Sequence, residues 1–455
     1  MPKKLFIQTY GCQMNQYDSE KIAQVLARKD YVQTDRIDGA DVILLNTCSV
    51  RDKAEQKVYS ALGSWKEFKN YRDGVIIGVG GCVAQQEGEN LLKRVPHLDL
   101  VFGTHNIHKL PEMIEQVEIS RARPVETAFY RDPAYMDEGE LRTQVDGVKA
   151  FVTIMQGCNK VCSFCIVPHV RGREVSRPSA KILAEIESLA RHGVKEVMLL
   201  GQNVNSYGKL TPGELSFADL LAQVDRIEGL RRIRFTTSHP QDLSPELIED
   251  FATLKNLCEH LHLPVQSGSD TVLARMRRGY SKAEYLSRLY RLRARRPEVA
   301  LSTDIIVGFP GETDGEFSET LELLRAVEYD DIYSFTYSPR PQTVSAKIYS
   351  DDVPNEVKKE RLKIVQTLQR EISLAKNRQR IGDCEEVLVE GTSKLNAEQI
   401  MGRTRANRIV NLTGSTGLIG EFVQVRIIGA TANSLLGELM CANAAIESQQ
   451  EGDRQ

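Results

Sequence analysis

The chain has 455 residues, a length that fits roughly three domains. No apolar run nears the ~20 residues that span a bilayer, and Met1-Pro2-Lys3-Lys4 leads into too few apolar residues for a secretory signal, so a soluble cytoplasmic protein is expected. A net charge of −3 excludes a generic polyanion binder, and nine cysteines, an odd number in a long chain of that kind, point to ligands rather than disulfides.

The first ~105 residues alternate strand-like apolar runs with helical patterns. The runs are Leu5 to Ile7, Val42 to Leu45, Val75 to Ile77 and Leu98 to Phe102. Helical patterns between them, such as Tyr17 to Lys29 and Lys53 to Phe68, predict a parallel α/β sheet. Residues 106 to about 146 are less regular, with Pro111, Pro124 and Pro133, and their later part reads as a linker. From Lys149 the alternation resumes over six strand candidates: Ala150 to Met155, Val197 to Leu200, Ile233 to Thr236, Leu261 to Leu263, Leu301 to Val307 and Ile332 to Tyr337. A full eight-unit barrel takes about 250 residues, so an incomplete, six-unit barrel is expected. A basic helix follows from Asn355 to Arg380, then short β runs (Glu386 to Glu390, Gly402 to Thr404, Ile409 to Leu412, Phe422 to Ile428) that predict a small all-β barrel. The polar tail from Ser448 is expected to fray.

Cys158, Cys162 and Cys165 follow directly on the strand Phe151 to Met155. Three soft thiolates converging on one point suit zinc or an iron–sulfur cluster. With His169 they could form a Cys3His zinc knuckle, but the first gap is wider than the CxxC spacing usual there. A cubane held by three thiolates leaves one iron open to chelate an amino acid group such as that of S-adenosylmethionine.

Cys12, Cys48 and Cys82 each follow a strand of the N-terminal sheet after two to four residues. Strands joined through helices run parallel, so their C-terminal ends share one edge, where open α/β sheets bind ligands. A lone cysteine there reads as an ordinary core residue; three in phase predict a second cluster. Gly78-Val79-Gly80-Gly81 fails as a dinucleotide loop, because Val83 stands where the third glycine should be. Gly80 and Gly81 read instead as letting backbone approach a cluster closely. Cys258, Cys384 and Cys441 show no ligand spacing.

Three basic stretches could meet nucleic acid: Arg288 to Arg296, Asn355 to Arg380, and Arg403, Arg405 and Arg408. Taken alone, each reads first as a solvated helix or loop face. Barrel chemistry sits at C-terminal strand ends. Candidate S-adenosylmethionine contacts are therefore Gln202, Asn203, Ser238, Gln266, Ser267 and Ile306 to Gly308, with the backbone at Phe164 toward the adenine. For each polar residue a turn or helix cap is the competing role. Arg171, Arg173, Arg277 and Arg278 are candidate phosphate contacts, or simple surface charges.

The segments Asn46-Thr47-Cys48-Ser49-Val50-Arg51-Asp52-Lys53-Ala54-Glu55, CNKVCSFC, Thr236-Thr237-Ser238-His239-Pro240, Pro264 to Ser269 and Gly308-Phe309-Pro310-Gly311-Glu312 together resemble the methylthiotransferase family of radical-SAM enzymes, over residues 3 to 442. The resemblance implies three parts: a domain over 1–135 holding an auxiliary 4Fe–4S cluster, a radical-SAM domain over 136–375, and an RNA-binding TRAM domain over 376–445. It implies that Cys12, Cys48 and Cys82 ligate the auxiliary cluster, and that Cys158, Cys162 and Cys165 hold the cluster that cleaves S-adenosylmethionine. The Asn46 to Arg51 string resembles the tRNA-modifying branch. The implied reaction converts N6-isopentenyladenosine at tRNA position 37 to its 2-methylthio derivative. It uses two S-adenosylmethionines per turnover, one yielding a 5′-deoxyadenosyl radical and one a methyl group. Purine C2 carries an unactivated C–H bond, which side-chain acid–base chemistry cannot readily break. Expected partners are the tRNA anticodon loop, an electron donor such as flavodoxin or ferredoxin, and a sulfur source; a monomer is expected. The same chemistry on threonylcarbamoyladenosine tRNA or a ribosomal protein is the alternative. A non-catalytic iron–sulfur carrier or RNA-binding scaffold is the alternative of another class.

Overall fold

The computed structural model describes residues 2–49, 52–132, 136, 147–393, 396 and 398–440. Val50, Arg51, Pro133, much of the expected linker, Cys441 and the tail lie outside the described residues.

Six strands open the chain: β1 (Lys3–Thr9), β2 (Tyr31–Gln33), β3 (Val42–Thr47), β4 (Ile76–Gly81), β5 (Leu100–Phe102) and β6 (Val125–Glu126). Among the described residues they form one all-parallel sheet in the order β2-β1-β3-β4-β5-β6. β3 and β4 are buried along their whole length, because helices cover both faces. Helix Asp52–Tyr71 lays Val58, Leu62 and Trp65 on one face. Helices Gln13–Ala27 and Leu110–Ser120 lay Ile22, Leu26, Met113 and Val117 on the other. The last helix and β6 fall where the sequence suggested irregular chain. Pro111 sits in the helix's first turn, where its missing N–H costs nothing.

The central region supplies β7 (Lys149–Thr153), a short hairpin of β8 (Met155–Gln156) and β9 (Val175–Ser176), then β10 (Glu196–Leu200), β11 (Arg232–Phe235), β12 (His260–His262), β13 (Ala300–Val307) and β14 (Asp331–Thr336). Two parallel three-stranded sheets, β11-β10-β7 and β12-β13-β14, are joined by a parallel bridge from Ile233 to Leu257. The result is the expected incomplete barrel, with β7 and β14 as open edges among the described residues. One continuous apolar core runs beneath its helices.

Helix Asn355–Arg378 packs along β14 and leads to β15 (Cys384–Thr392), β16 (Gln399–Thr404), β17 (Ile409–Thr413), β18 (Phe422–Ala430) and β19 (Leu435–Leu439). These close in the order β15-β16-β17-β19-β18 around Val387, Val389, Val410, Leu412 and Val425. β19 is absent from the sequence expectation; its Leu-Leu-Gly-Glu-Leu run is short, and its parallel pairing to β17 is long-range.

The small barrel sits under the N-terminal ends of the central strands. Arg232 donates to the Arg403 carbonyl (2.8 Å), Arg234 to that of Thr404 (2.7 Å) and Lys195 to that of Gly420 (2.8 Å). In return Arg405 pairs with Glu259 (2.9 Å) and Arg408 with Asp330 (2.6 Å). These partners stand at or just before the starts of β10, β11, β12 and β14. The small barrel therefore forms the floor of the large one, and the C-terminal strand ends form the opposite mouth.

Candidate active site

β1, β3 and β4 are neighbours, in register through Thr9 with Asn46, Asn46 with Gly80 and Thr47 with Gly81. Cys12, Cys48 and Cys82 leave this sheet at one edge. Cys12 caps helix Gln13–Ala27, and Cys82 begins helix Cys82–Glu87. Buried amides lace the three loops together. Asn15 donates to the Thr47 carbonyl (2.9 Å), and Asn46 donates to the Asn15 carbonyl (2.8 Å). Thr47 Oγ1 donates to the Gly80 carbonyl (2.6 Å) and accepts from the Val83 amide (3.2 Å). A Cβ on Gly11 would lie 2.6 Å from the Cys48 Cβ, so the first two loops touch. The role expected for Gly80 and Gly81 is corrected. A Cβ on Gly80 would strike the Phe102 ring at 2.2 Å, and one on Gly81, at φ +88°, the Thr47 carbonyl at 2.4 Å. Both glycines admit neighbouring protein groups.

A hydrogen bond with Cys48 and the charge of Arg171 pull the Cys12 thiol down to about 6, against the opposing effect of burial. Burial pushes the Cys82 thiol up, with Arg171 pulling against it. Arg171 comes from the other domain, just after helix Val167–Val170. The sheet edge faces the barrel mouth: Cys82 packs on Ile166 and Val170, and Met14 and Tyr17 pack on Leu200. Thr104 donates to the Val170 carbonyl (2.9 Å), and Gln156 donates to the Thr104 carbonyl (3.1 Å).

The second triad lies at that mouth. After the β8 hairpin the chain turns at Gly157 (φ +80°), where a Cβ would lie 2.0 Å from the Arg173 carbonyl. The Gly157 amide donates to Gln202 Oε1, fixing the loop to the end of β10. Ser163 anchors the loop to the Met276 and Arg275 carbonyls (2.9 and 2.8 Å). Burial, with Cys162 nearby, pushes Cys158 up to about 11 and Cys165 up to about 12. A neutral thiol is the stable form there until a metal or cation compensates the thiolate. Arg278 supplies one such charge, its Nη1 3.1 Å from the Cys162 Sγ.

Among the described residues no three His, Cys, Asp or Glu side chains are set to hold a single metal ion. That disfavours the zinc knuckle, and His169 lies exposed. A multi-iron cubane takes its thiolates at separate corners, wider apart than the ligands of one ion.

Around the triad several buried polar atoms lack a hydrogen-bond partner among the described residues: Gln202 Nε2, Asn203 Oδ1, Ser238 Oγ and His239 Nε2. Gln266 turns at φ +81° and bridges to Ile305 beside Ile306. Phe164 and Ile306 pack in one apolar cluster with Phe309 and Tyr337. Ser267 is turned inward, with Thr320 Oγ1 at 3.3 Å and the Ser269 amide donating to it at 3.2 Å, which is the turn role rather than a ligand contact. Gly308 (φ +70°) lies against Lys358, and its amide donates to Glu312 (2.6 Å).

The arginine expectations need correction. Arg171 and Arg278 are 3% and 5% exposed and serve the two triads, so neither can reach a phosphate. Arg405 is taken up by Glu259 and by the Lys255 and Leu257 carbonyls, and Arg403 by Asn407 and Glu390. Arg405 builds the joint between barrels, whereas the Arg403 side chain stays within the small barrel and only its carbonyl joins the large one. Some members of the other basic stretches are engaged within the fold, Arg296 with Glu259, Arg361 with Glu312 and Lys376 with Asp330, whereas Arg291, Lys359, Lys363 and Arg370 lie exposed. Arg173 and Arg277 lie exposed at the rim of the mouth.

Sequence reasoning missed a lumen wall. On β14 Tyr333 and Phe335 are 48% and 41% exposed, while the alternate residues face the covering helix. Tyr333 stacks edge-on to His262, and Asp304 and Ile306 of β13 register with Tyr333 and Phe335. The signal was there: an alternating edge strand in a barrel with too few units to close.

Three family models match the chain: Uncharacterized protein family UPF0004 over residues 4–103, the Radical SAM superfamily over 152–324 and the TRAM domain over 378–440. The chain is 55% identical over 437 residues to a tRNA-2-methylthio-N(6)-dimethylallyladenosine synthase of Geobacter metallireducens, covering 96% of this chain and 98% of that protein. It is 50% identical to the protein of the same name in Syntrophus aciditrophicus, covering 96% and 95%. Among solved structures it resembles the radical S-adenosylmethionine methyltransferase TsrM from Kitasatospora setae, with cobalamin and a [4Fe-4S] cluster bound. The TM-score is 0.59 at 15% identity, over 76% of this chain and 77% of that one, a likeness of fold alone.

Proposed function

The chain belongs to the tRNA-2-methylthio-N(6)-dimethylallyladenosine synthases, radical-SAM methylthiotransferases that act on isopentenyladenosine in tRNA, and on that basis we propose how its residues divide the work. Cys158, Cys162 and Cys165 hold one 4Fe–4S cluster, and Cys12, Cys48 and Cys82 hold a second. The observation that carries this is the packing of Cys82 on Ile166, the residue after Cys165, which brings the two triads to one mouth. The donor sets fit: each is three soft thiolates with one buried arginine beside it.

S-adenosylmethionine, bound at the Cys158 cluster, supplies the radical needed to break an unactivated C–H bond. The unpartnered atoms of Gln202, Asn203 and Ser238 match its polar groups, and Phe164 and Ile306 offer an apolar face for its adenine. The target base, at tRNA position 37, enters from the open edge and lies along Tyr333 and Phe335. Aromatic side chains are the usual support for an unstacked base of an anticodon loop. Arg173 and Arg277 at the rim meet flanking phosphates. Walls on both sides keep water from the reacting carbon. A boundary near 135 falls after β6, and one near 375 falls in the last turn of helix Asn355–Arg378, ahead of β15. An external electron donor and a sulfur source complete the reaction. Among the described residues no helix is long and apolar enough to cross a membrane, and we place the reaction in the cytoplasm.

Two measurements test this. The triple variant Cys158/Cys162/Cys165→Ala, reconstituted anaerobically, should keep one cluster's iron and lose S-adenosylmethionine cleavage. Retained cleavage would refute the division of roles. Transfer RNA from a deletion strain should lack 2-methylthio-isopentenyladenosine; unchanged levels would mean another substrate.

A further inference from the structure

We propose that Arg171 is a positioning residue that carries a fixed positive charge from the radical-SAM domain to the auxiliary cluster and sets its reduction potential. The inference rests on Cys12, Cys48 and Cys82 holding a cluster. Arg171 follows Cys165 by six residues, yet its guanidinium lies in the other domain's triad. It is 3% exposed, and its Nη2 donates to Asp18 Oδ2 at 2.7 Å. Its Nη1 is buried with no hydrogen-bond partner among the described residues. A guanidinium has five N–H donors in a rigid fork, and an unpaired one inside a protein is costly. A buried pair such as Arg171–Asp18 is no strong source of stability by itself. Its placement beside thiolates is the part that needs a reason, and the sulfur face of a cluster gives Nη1 its missing acceptor.

The arginine is also held from behind. His105 Nε2 bonds its backbone carbonyl (2.9 Å), and Thr104 holds the preceding carbonyl (2.9 Å). Both come from the sheet domain just after β5. The charge therefore cannot withdraw without parting the two domains. Charge and hydrogen bonds beside a cluster favour its more reduced, more negative form and raise its potential.

The test uses full-length, anaerobically reconstituted protein in the Cys158/Cys162/Cys165→Ala background, where the auxiliary cluster is the sole redox signal. Iron content and an EPR-monitored redox titration are read together. Arg171→Met should keep one cluster's iron and shift the midpoint potential to more negative values. Arg171→Lys, which keeps the charge, should restore part of that shift. Asp18→Asn removes the compensating carboxylate and should shift the potential the opposite way. Opposite signs sustain the proposal; unchanged potentials, or shifts of one sign, overturn it. Should Arg171→Met lose its cluster, Asp18→Asn decides alone: a positive shift sustains the proposal and any other result overturns it. Absence of iron in the background protein itself would instead refute the second cluster.

Discussion

Buried histidines link this site to pH. His105 is fixed by the Arg171 carbonyl and the Tyr130 amide (3.1 Å), and burial holds it down to about 4. His239, at the end of β11, is held down to about 2 by burial and by the charges of Arg278 and Lys160. Both values lie below the 6.5 of a free imidazole, so the unfolded chain takes up protons first. Their stabilising contribution is whole above about 6.5 and declines as pH falls below it. From pH 7 to 5.5 each should lose roughly 1 kcal/mol of stability. Urea unfolding at the two pH values measures it. His239→Gln should remove about 1 kcal/mol of the loss, one histidine's share, since His260, held down to about 3 by burial, contributes a like amount; a wild-type midpoint that ignores pH would show the histidines are not neutral in the fold.

At the level of elements, Ile306, Tyr333 and Phe335 lie on strands, whereas both cysteine triads stand on turns that leave one. Such turns must drop the chain sharply without losing hydrogen bonds, which is why positive φ recurs there at Gly81, Gly157, Gln266 and Gly308. Gly157 is the sharpest case, because its missing side chain makes room for the Arg173 carbonyl. Gly157→Ala combines left-handed strain with a backbone clash and should cost at least about 2 kcal/mol. We expect a lower thermal midpoint and less iron held by the Cys158 triad, while the Cys12 triad keeps its share. Full iron at both triads would show that the loop relaxes without distorting the ligands.

On the scale of the whole molecule, the small C-terminal barrel is a structural part of the large one. Arg234 is buried against Glu196 (3.1 Å) and donates to two carbonyls of the small barrel. Arg234→Ala leaves the buried Glu196 only its longer contact with Arg232 (3.9 Å) and should cost about 3 kcal/mol. Arg231→Ala removes a half-exposed pair with Glu386 and a stacking contact over the Phe422 ring (3.9 Å), and should cost only about 1 kcal/mol. Scanning calorimetry should show the two barrels of the parent unfolding together, and in Arg234→Ala a lower or divided transition. Equal effects of the two substitutions would mean the joint is not buried in solution. Floor and mouth lie at opposite strand ends, so the small barrel stands away from the cysteine triads.

The chain order of strands and cysteines was enough to place both triads. Parallel strands send successive turns to one edge, so Cys12, Cys48 and Cys82 had to share it, and the tight spacing of Cys158, Cys162 and Cys165 needed no fold to bring them together. The incomplete barrel followed from a count of strand units against length. The arginines could not be assigned in that way. Arg171 meets Asp18 across 153 residues and Arg405 meets Glu259 across 146, and no local pattern distinguishes such a residue from a phosphate contact on the surface. The lumen wall at Tyr333 and Phe335 was undecided for a like reason: alternation along one strand marks two faces, and only closure of the sheet says which face borders the cavity. Backbone periodicity is local and can be read from the sequence, whereas the fate of a long charged side chain depends on partners that tertiary packing alone brings near.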